Sequence, residues 1–193
     1  MDLCLIVVGG VWGSPEGENE VDVLALGPRV YAGGATDLVT DGSPVRSISR
    51  KQAATRLILQ DDIILERSGG SPEQPVGRVV IAGIGLLPCI PTDFQRLLRP
   101  NTELVEPRYL YWKLRLDWLD GLTRDYSKRT TNIANLSVPD YLAREFVVPS
   151  RKEQLKLFAD VRAFDSAHSE LADEMASVAT LKSSILDEIF GGS

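Results

Sequence analysis

The chain has 193 residues, enough for one ordinary domain with a buried core, or for such a domain carrying a long appended element. A composition of 44% hydrophobic and 25% charged residues is that of a soluble globular protein, and a formal net charge of −6 argues against coating nucleic acid by bulk attraction. Two distant cysteines, Cys4 and Cys89, match no metal or redox spacing and read as packing residues in a reducing compartment.

The apolar run Leu3 to Val11 is short and lacks a basic flank, so neither a signal peptide nor a membrane span fits, and the cytoplasm is the default location. Residues 1–60 read as short strands between turns: Leu3 to Val8, Val21 to Leu26, Arg29 to Tyr31, and Pro44 to Ile48. Ser49 is a good cap for a short helix running to Arg56, and Asp61-Asp62 then turns the chain.

The next stretch, Asp62 to Ile81, has two apolar runs of strand type, Ile63-Ile64-Leu65 and Val79-Val80-Ile81, around a loop of glycines, prolines, hydroxyls and one amide. The loop is therefore pinned at both ends and presents polar groups from a fixed frame. Arg67-Ser68-Gly69-Gly70-Ser71 invites reading as a phosphate cradle, but Pro72 follows Ser71 where a nucleotide-binding loop needs a lysine and then Ser or Thr. The plain alternative is a strand-to-strand loop that needs Gly and Pro for its turns.

Beyond it, Pro107 starts a helix with apolar groups at Leu110, Leu114 and Trp118, ending near Gly121. Its aromatics Tyr109, Tyr111 and Trp112 read as packing on a sheet before base stacking. From Arg108 to Thr131 six basic residues face three acidic ones, so this part can approach phosphate. Lys128-Arg129-Thr130-Thr131-Asn132 suits phosphate contact first and base-edge contact second, with a solvated loop before a helix at Ser137 as the alternative. A strand at Glu145 to Val148 stops at Pro149.

From Ser150 to Phe190 there is no proline or glycine, and Ser150 with Glu153 makes a capping box. Leu157, Val161, Phe164, His168, Leu171, Met175, Val178, Lys182, Ile185 and Ile189 fall at alternating four-three spacing, a heptad seam about 48 Å long at ~1.5 Å per residue. Such a seam asks for a partner helix, with His168 and Lys182 as register devices. The only histidine lies in that seam, which speaks against His-based catalysis and His-rich metal sites. No nucleophile-base pair appears either, and no cofactor is expected.

Several of these pieces resemble one family. Val11-Trp12-Gly13, Ile48-Ser49-Arg50-Lys51-Gln52, the stretch Asp62 to Val80, Thr130 to Leu136 leading into Phe146-Val147-Val148-Pro149, Glu153-Gln154, and Leu181 to Gly192 occur in the order and spacing of the specificity subunits of type I restriction-modification systems. The match is to a half-length form. The resemblance implies an α+β fold: a mixed-sheet target-recognition domain over 1–149, then one long coiled-coil helix over 150–193. It further implies a non-catalytic subunit that reads one half of a split double-stranded DNA target. Methyltransferase subunits methylate adenine, and a restriction subunit is engaged indirectly.

Full-length members carry two recognition domains and two antiparallel helices; this chain has one of each. Two copies paired through the helix rebuild the full arrangement and read a palindromic site, whereas a different half subunit gives an asymmetric one. Carried onto this sequence, the expected DNA contacts are Arg46, Arg67, Ser68, Ser71, Gln74, Lys128, Arg129, Thr130, Thr131 and Asn132, since Arg, Gln and Asn can bond two atoms of one base edge. The competing reading is a coiled-coil adaptor or truncated specificity subunit that binds the methyltransferase without reading DNA.

Overall fold

Among the described residues, ten strands form three small sheets with three α-helices beside them, and further helical positions follow Ser150. The computed structural model describes residues 3–71, 73–130 and 133–159, together with positions 161, 171, 174, 175, 177, 178, 180–182 and 184. It divides into two compact units, Met1–Arg151 and Lys152–Ser193.

In the first unit the strands are β1 (Cys4–Gly9), β2 (Val21–Leu26), β3 (Val45–Ile48), β4 (Ile63–Glu66), β5 (Ser68–Gly69), β6 (Val79–Ile81), β7 (Cys89–Pro91), β8 (Gln95–Pro100), β9 (Ser127–Thr130) and β10 (Ile133–Leu136). The helices are α1 (Arg50–Arg56), α2 (Pro107–Leu119) and α3 (Val138–Ala143). A four-stranded antiparallel sheet runs β1-β8-β4-β6; a second is β5-β10-β9, also antiparallel; a third, β3-β2-β7, pairs β2 antiparallel to β3 and parallel to β7. The fold is therefore α+β with mixed and antiparallel sheets.

The central strand β4 shows why its sequence is an unbroken apolar run. Successive side chains point to opposite faces of a sheet, and both faces are covered. Ile63 and Leu65 pack with Leu98 from β8, Leu110, Tyr111 and Leu114 from α2, and Tyr141 from α3. Ile64 joins Leu97, Val80, Leu26, Tyr31 and Cys89 on the other side. The expected frame forms as read: Ile63 pairs with Ile81, Ile64 with Val80 and Leu65 with Val79.

Ser49 caps α1 through a full capping box with Gln52, at 3.2 and 2.9 Å. Asp61 turns the chain with φ of +66°, and the buried Asp62 beside it takes two bonds from Arg99 at 2.9 and 2.7 Å. Tyr111 is buried and Tyr109 and Trp112 are half-buried against the first cluster, so these aromatics pack inward. Both cysteines are free thiols.

Two expected strands are corrected. Arg29 to Tyr31 lies in a 3-10 turn, Pro28–Gly34, because Pro28 sets the first φ and Val30 and Tyr31 turn into the core. Residues 145–148 form no strand; Phe146 and Val148 pack on the first cluster while Val147 is exposed, an alternation that needs no neighbouring strand.

In the second unit, positions 152–159, 161, 171, 174, 175, 177, 178, 180–182 and 184 are helical. Leu157, Leu171, Met175 and Val178 are exposed, as is Lys182. Phe164, His168, Ile185 and Ile189 lie outside the described residues.

Candidate nucleic-acid interface

The small sheet β5-β10-β9 joins the two polar stretches that are about sixty residues apart in sequence. Strand β4 runs through Arg67 directly into β5, and the backbone N–H groups of Arg67 and Ser68 both donate to the Phe94 carbonyl, at 2.8 and 3.0 Å. From the other side the Leu136 N–H donates to the Arg67 carbonyl at 2.8 Å. Arg67 is thus the junction at which the chain passes from the central sheet to the polar one.

Register sets the faces. Asn135 opposes Ser68 on one side and Lys128 on the other, while Ala134 opposes Gly69 and Arg129. Directly opposed residues share a face, so Lys128, Asn135 and Ser68 form one row. The buried Ala134 and Leu136 turn the opposite face to the core. Within that row the Arg67 guanidinium donates to the Ser68 hydroxyl at 3.3 Å, and this hydroxyl donates to the Asn135 side-chain carbonyl at 2.6 Å. Asn135 keeps its amide N–H groups and is half-buried between Lys128 and Ser68. Its place opposite Ser68 is set by strand pairing, which local sequence does not carry.

The loop after β5 is tied down by its backbone. The Ser71 N–H donates to the Gln74 carbonyl at 2.7 Å, and the Gln74 N–H returns to the Ser71 hydroxyl at 3.0 Å, which itself donates to Glu73. Trp118 Nε1 donates to the Pro75 carbonyl at 2.8 Å, and Arg124 reaches the Glu73 carbonyl at 3.4 Å. The glycines serve close approach: a Cβ on Gly70 would lie 2.8 Å from the Gln74 carbonyl, and one on Gly77 only 2.7 Å from Thr123 Cγ2. At the loop base, the buried Glu66 takes two bonds from Arg78, at 2.9 and 2.6 Å, and the Arg78 guanidinium lies over the Tyr31 ring. Burial, then the Glu66 charge, push the Tyr31 hydroxyl well above the ordinary tyrosine range.

The ten expected contact residues separate on this geometry. Gln74, Lys128 and Arg129 are exposed and Arg67 and Ser71 half-buried, all on or beside the polar sheet. Arg129 acts on Glu73, whose carboxylate is held below its usual range by its own backbone N–H first, then by the Ser71 hydroxyl and the Arg129 charge. Ser68 is buried and committed to Asn135, which makes it a support for the row. Arg46 belongs to another sheet: its Nη2 donates to the Gly13 carbonyl at 3.0 Å and its guanidinium lies over Trp12. Thr131, Asn132 and the Thr130 side chain lie outside the described residues.

The basic stretch from Arg108 is partly structural. Arg108 pairs with Asp37, Lys113 with Asp117, and Arg115 donates to the Gly34 and Ala35 carbonyls. Among the described residues no group of three or more His, Cys, Asp or Glu could hold a metal ion, and no helix is long and apolar enough to cross a membrane.

The fold is matched by solved structures. No protein-family model and no curated protein matches it. One structural neighbour comes from a study of the structural basis of complex assembly and conformational transition of the type I R-M system, with a TM-score of 0.58 at 19% identity. The match covers 96% of this chain and 43% of that one, so the chain spans less than half of its neighbour. The likeness establishes that this chain and part of that one share a fold.

Proposed function

We propose that this chain is a DNA-recognition subunit of a type I restriction-modification complex, reading one half of a bipartite target and directing cytoplasmic partner subunits that methylate adenine or cleave. The observation that carries this reading is the β5-β10-β9 sheet, whose backbone bonds fix Asn135 and Lys128 in one row beside Arg67, with Arg129 exposed on the other face of β9. Arg and Asn side chains read base edges through paired bonds, and the lysine and remaining guanidinium neutralise phosphate. The protein itself carries out no chemistry in this scheme.

The C-terminal segment supplies the second half. Four exposed aliphatic positions on helical backbone, at heptad spacing, favour a coiled coil with a second copy, which gives a palindromic split site; pairing with a different half subunit gives an asymmetric one. Methylome sequencing of a host with and without the chain tests the proposal. A bipartite adenine-methylation motif should vanish when the chain is removed, and an unchanged methylome overturns the reading.

A further inference from the structure

A second group of cations lies at Gly9, the last residue of β1, and nothing in the local sequence marks it. Gly9 pairs with Arg96 of β8. Arg96 Nη1 lies 3.3 Å from where a Cβ on Gly9 would stand, and Arg56 Nε donates to the Gly9 carbonyl at 2.9 Å. A residue without a side chain thus lets two guanidiniums converge. Arg67 is the third: Leu65 pairs with Arg96, and Arg67 follows two residues later, just beyond the end of β4, near enough for its charge to act on Arg96. Arg96 is less basic than an ordinary arginine, first through burial and then through the Arg67 charge, with Asp93 opposing.

Arg78, Arg99, Arg144 and Lys113 each meet a carboxylate. Among the described residues, Arg56, Arg67 and Arg96 make no ion pair. Of the other half-buried cations, Arg46 and Arg115 also make no ion pair but lie elsewhere in the fold, Arg46 bonded to the Gly13 carbonyl and Arg115 to those of Gly34 and Ala35. Arg96 donates to the Gln95 carbonyl, Arg67 to Ser68, and Arg56 to Gly9 and Thr55. A guanidinium carries five N–H donors, so most of theirs remain for a ligand. Asp93 acts on Arg96 without forming an ion pair with it, and like charges gathered this way remain unfavourable until an anion joins them.

We propose that Arg56, Arg96 and Arg67 form a phosphate-binding cluster around Gly9 that takes the phosphodiester backbone of DNA. Arg67 links this cluster to the polar sheet, so one duplex meets both. The assignment rests on the proposed DNA-reading function and extends it to two residues outside the expected set.

The test uses the full chain and a random-sequence duplex of about 30 base pairs, because phosphate contacts do not depend on sequence. Arg56→Gln and Arg96→Gln should each lower the slope of log affinity against log salt by about 1, whereas Arg96→Lys keeps the slope. Thermal unfolding checks that each variant is folded; if Arg96→Gln is not, Arg56→Gln decides. Unchanged slopes in the glutamine variants, with a slope lowered by Lys128→Ala, overturn the cluster and leave the DNA reading standing. Absence of salt-dependent duplex binding by the unsubstituted protein overturns both.

Discussion

The carboxylate of Glu66 and the guanidinium of Arg78 meet through two bonds, 2.9 Å to Nε and 2.6 Å to Nη2, where β4 leaves the central sheet. Glu66 is 1% exposed, so removing Arg78 strands a buried charge. Arg78→Ala should destabilise the protein by about 3–5 kcal/mol in urea unfolding, and Glu66→Gln combined with Arg78→Met by much less. A single-variant loss below about 1 kcal/mol would show that the pair does not hold the loop base.

Gly69 lies against that carboxylate. A Cβ there would sit 2.5 Å from Glu66 Oε1, and its φ is +148°. Gly69→Ala combines backbone strain with displacement of the Glu66–Arg78 pair and should cost about 2–3 kcal/mol. Gly17→Ala is the comparison: φ is +78° but nothing lies within 4 Å, so the expected loss is about 1 kcal/mol. Equal losses at the two sites would remove the contact from the explanation.

Glu73 sits beside Arg129 on the surface proposed to meet DNA, and it repels phosphate. Glu73→Gln should therefore strengthen duplex binding several-fold at low salt, while Lys128→Ala and Arg129→Ala weaken it and lower the salt slope by about 1 each. Weaker binding by Glu73→Gln would mean that the acid positions Arg129 more than it opposes the ligand.

Burial pushes the Cys89 thiol up to about 11. At pH 8 only about one molecule in a thousand then carries the thiolate, so iodoacetamide should leave Cys89 unmodified in the folded protein and label it on unfolding. Peptide mapping reads the outcome, and rapid native labelling at Cys89 contradicts its place in the core.

The exposed helical positions make a prediction about association. Met175→Asp puts a charge into the proposed seam, where a buried large side chain contributes roughly 1.5–3 kcal/mol. Sedimentation equilibrium should show the unsubstituted chain self-associating and the variant shifted towards monomer. Identical behaviour would exclude a homotypic helix pair.

What could be read locally was the β4–β6 frame, the Ser49 cap and α2. What escaped depends on pairing between distant segments. Strand β8 is interior to the central sheet, yet Gln95, Arg96 and Arg99 give it a polar look. They are accommodated because Gln95 bonds the Gly27 carbonyl, Arg96 passes over Gly9 and Arg99 meets Asp62. Strand β5 is two residues long and β9 largely polar, so neither announces itself. The candidate site was legible as two polar stretches, but not as one sheet. Ser68 and Arg46 show what the sequence leaves out: Ser68 bonds Asn135 and Arg46 the Gly13 carbonyl, partners that no local signal names.

The bonds that hold the loop after β5 are made mostly to its backbone: the carbonyls of Glu73, Gln74 and Pro75 accept, and the N–H of Ser71 donates. Side chains at 73 and 74 can therefore be exchanged while the anchors in α2 and the 3-10 turn Leu122–Arg124 stay as they are. Such a loop is separable from its scaffold in evolutionary terms. New specificities could be acquired, or engineered by substituting these positions as a cassette, without redesigning the protein that carries them.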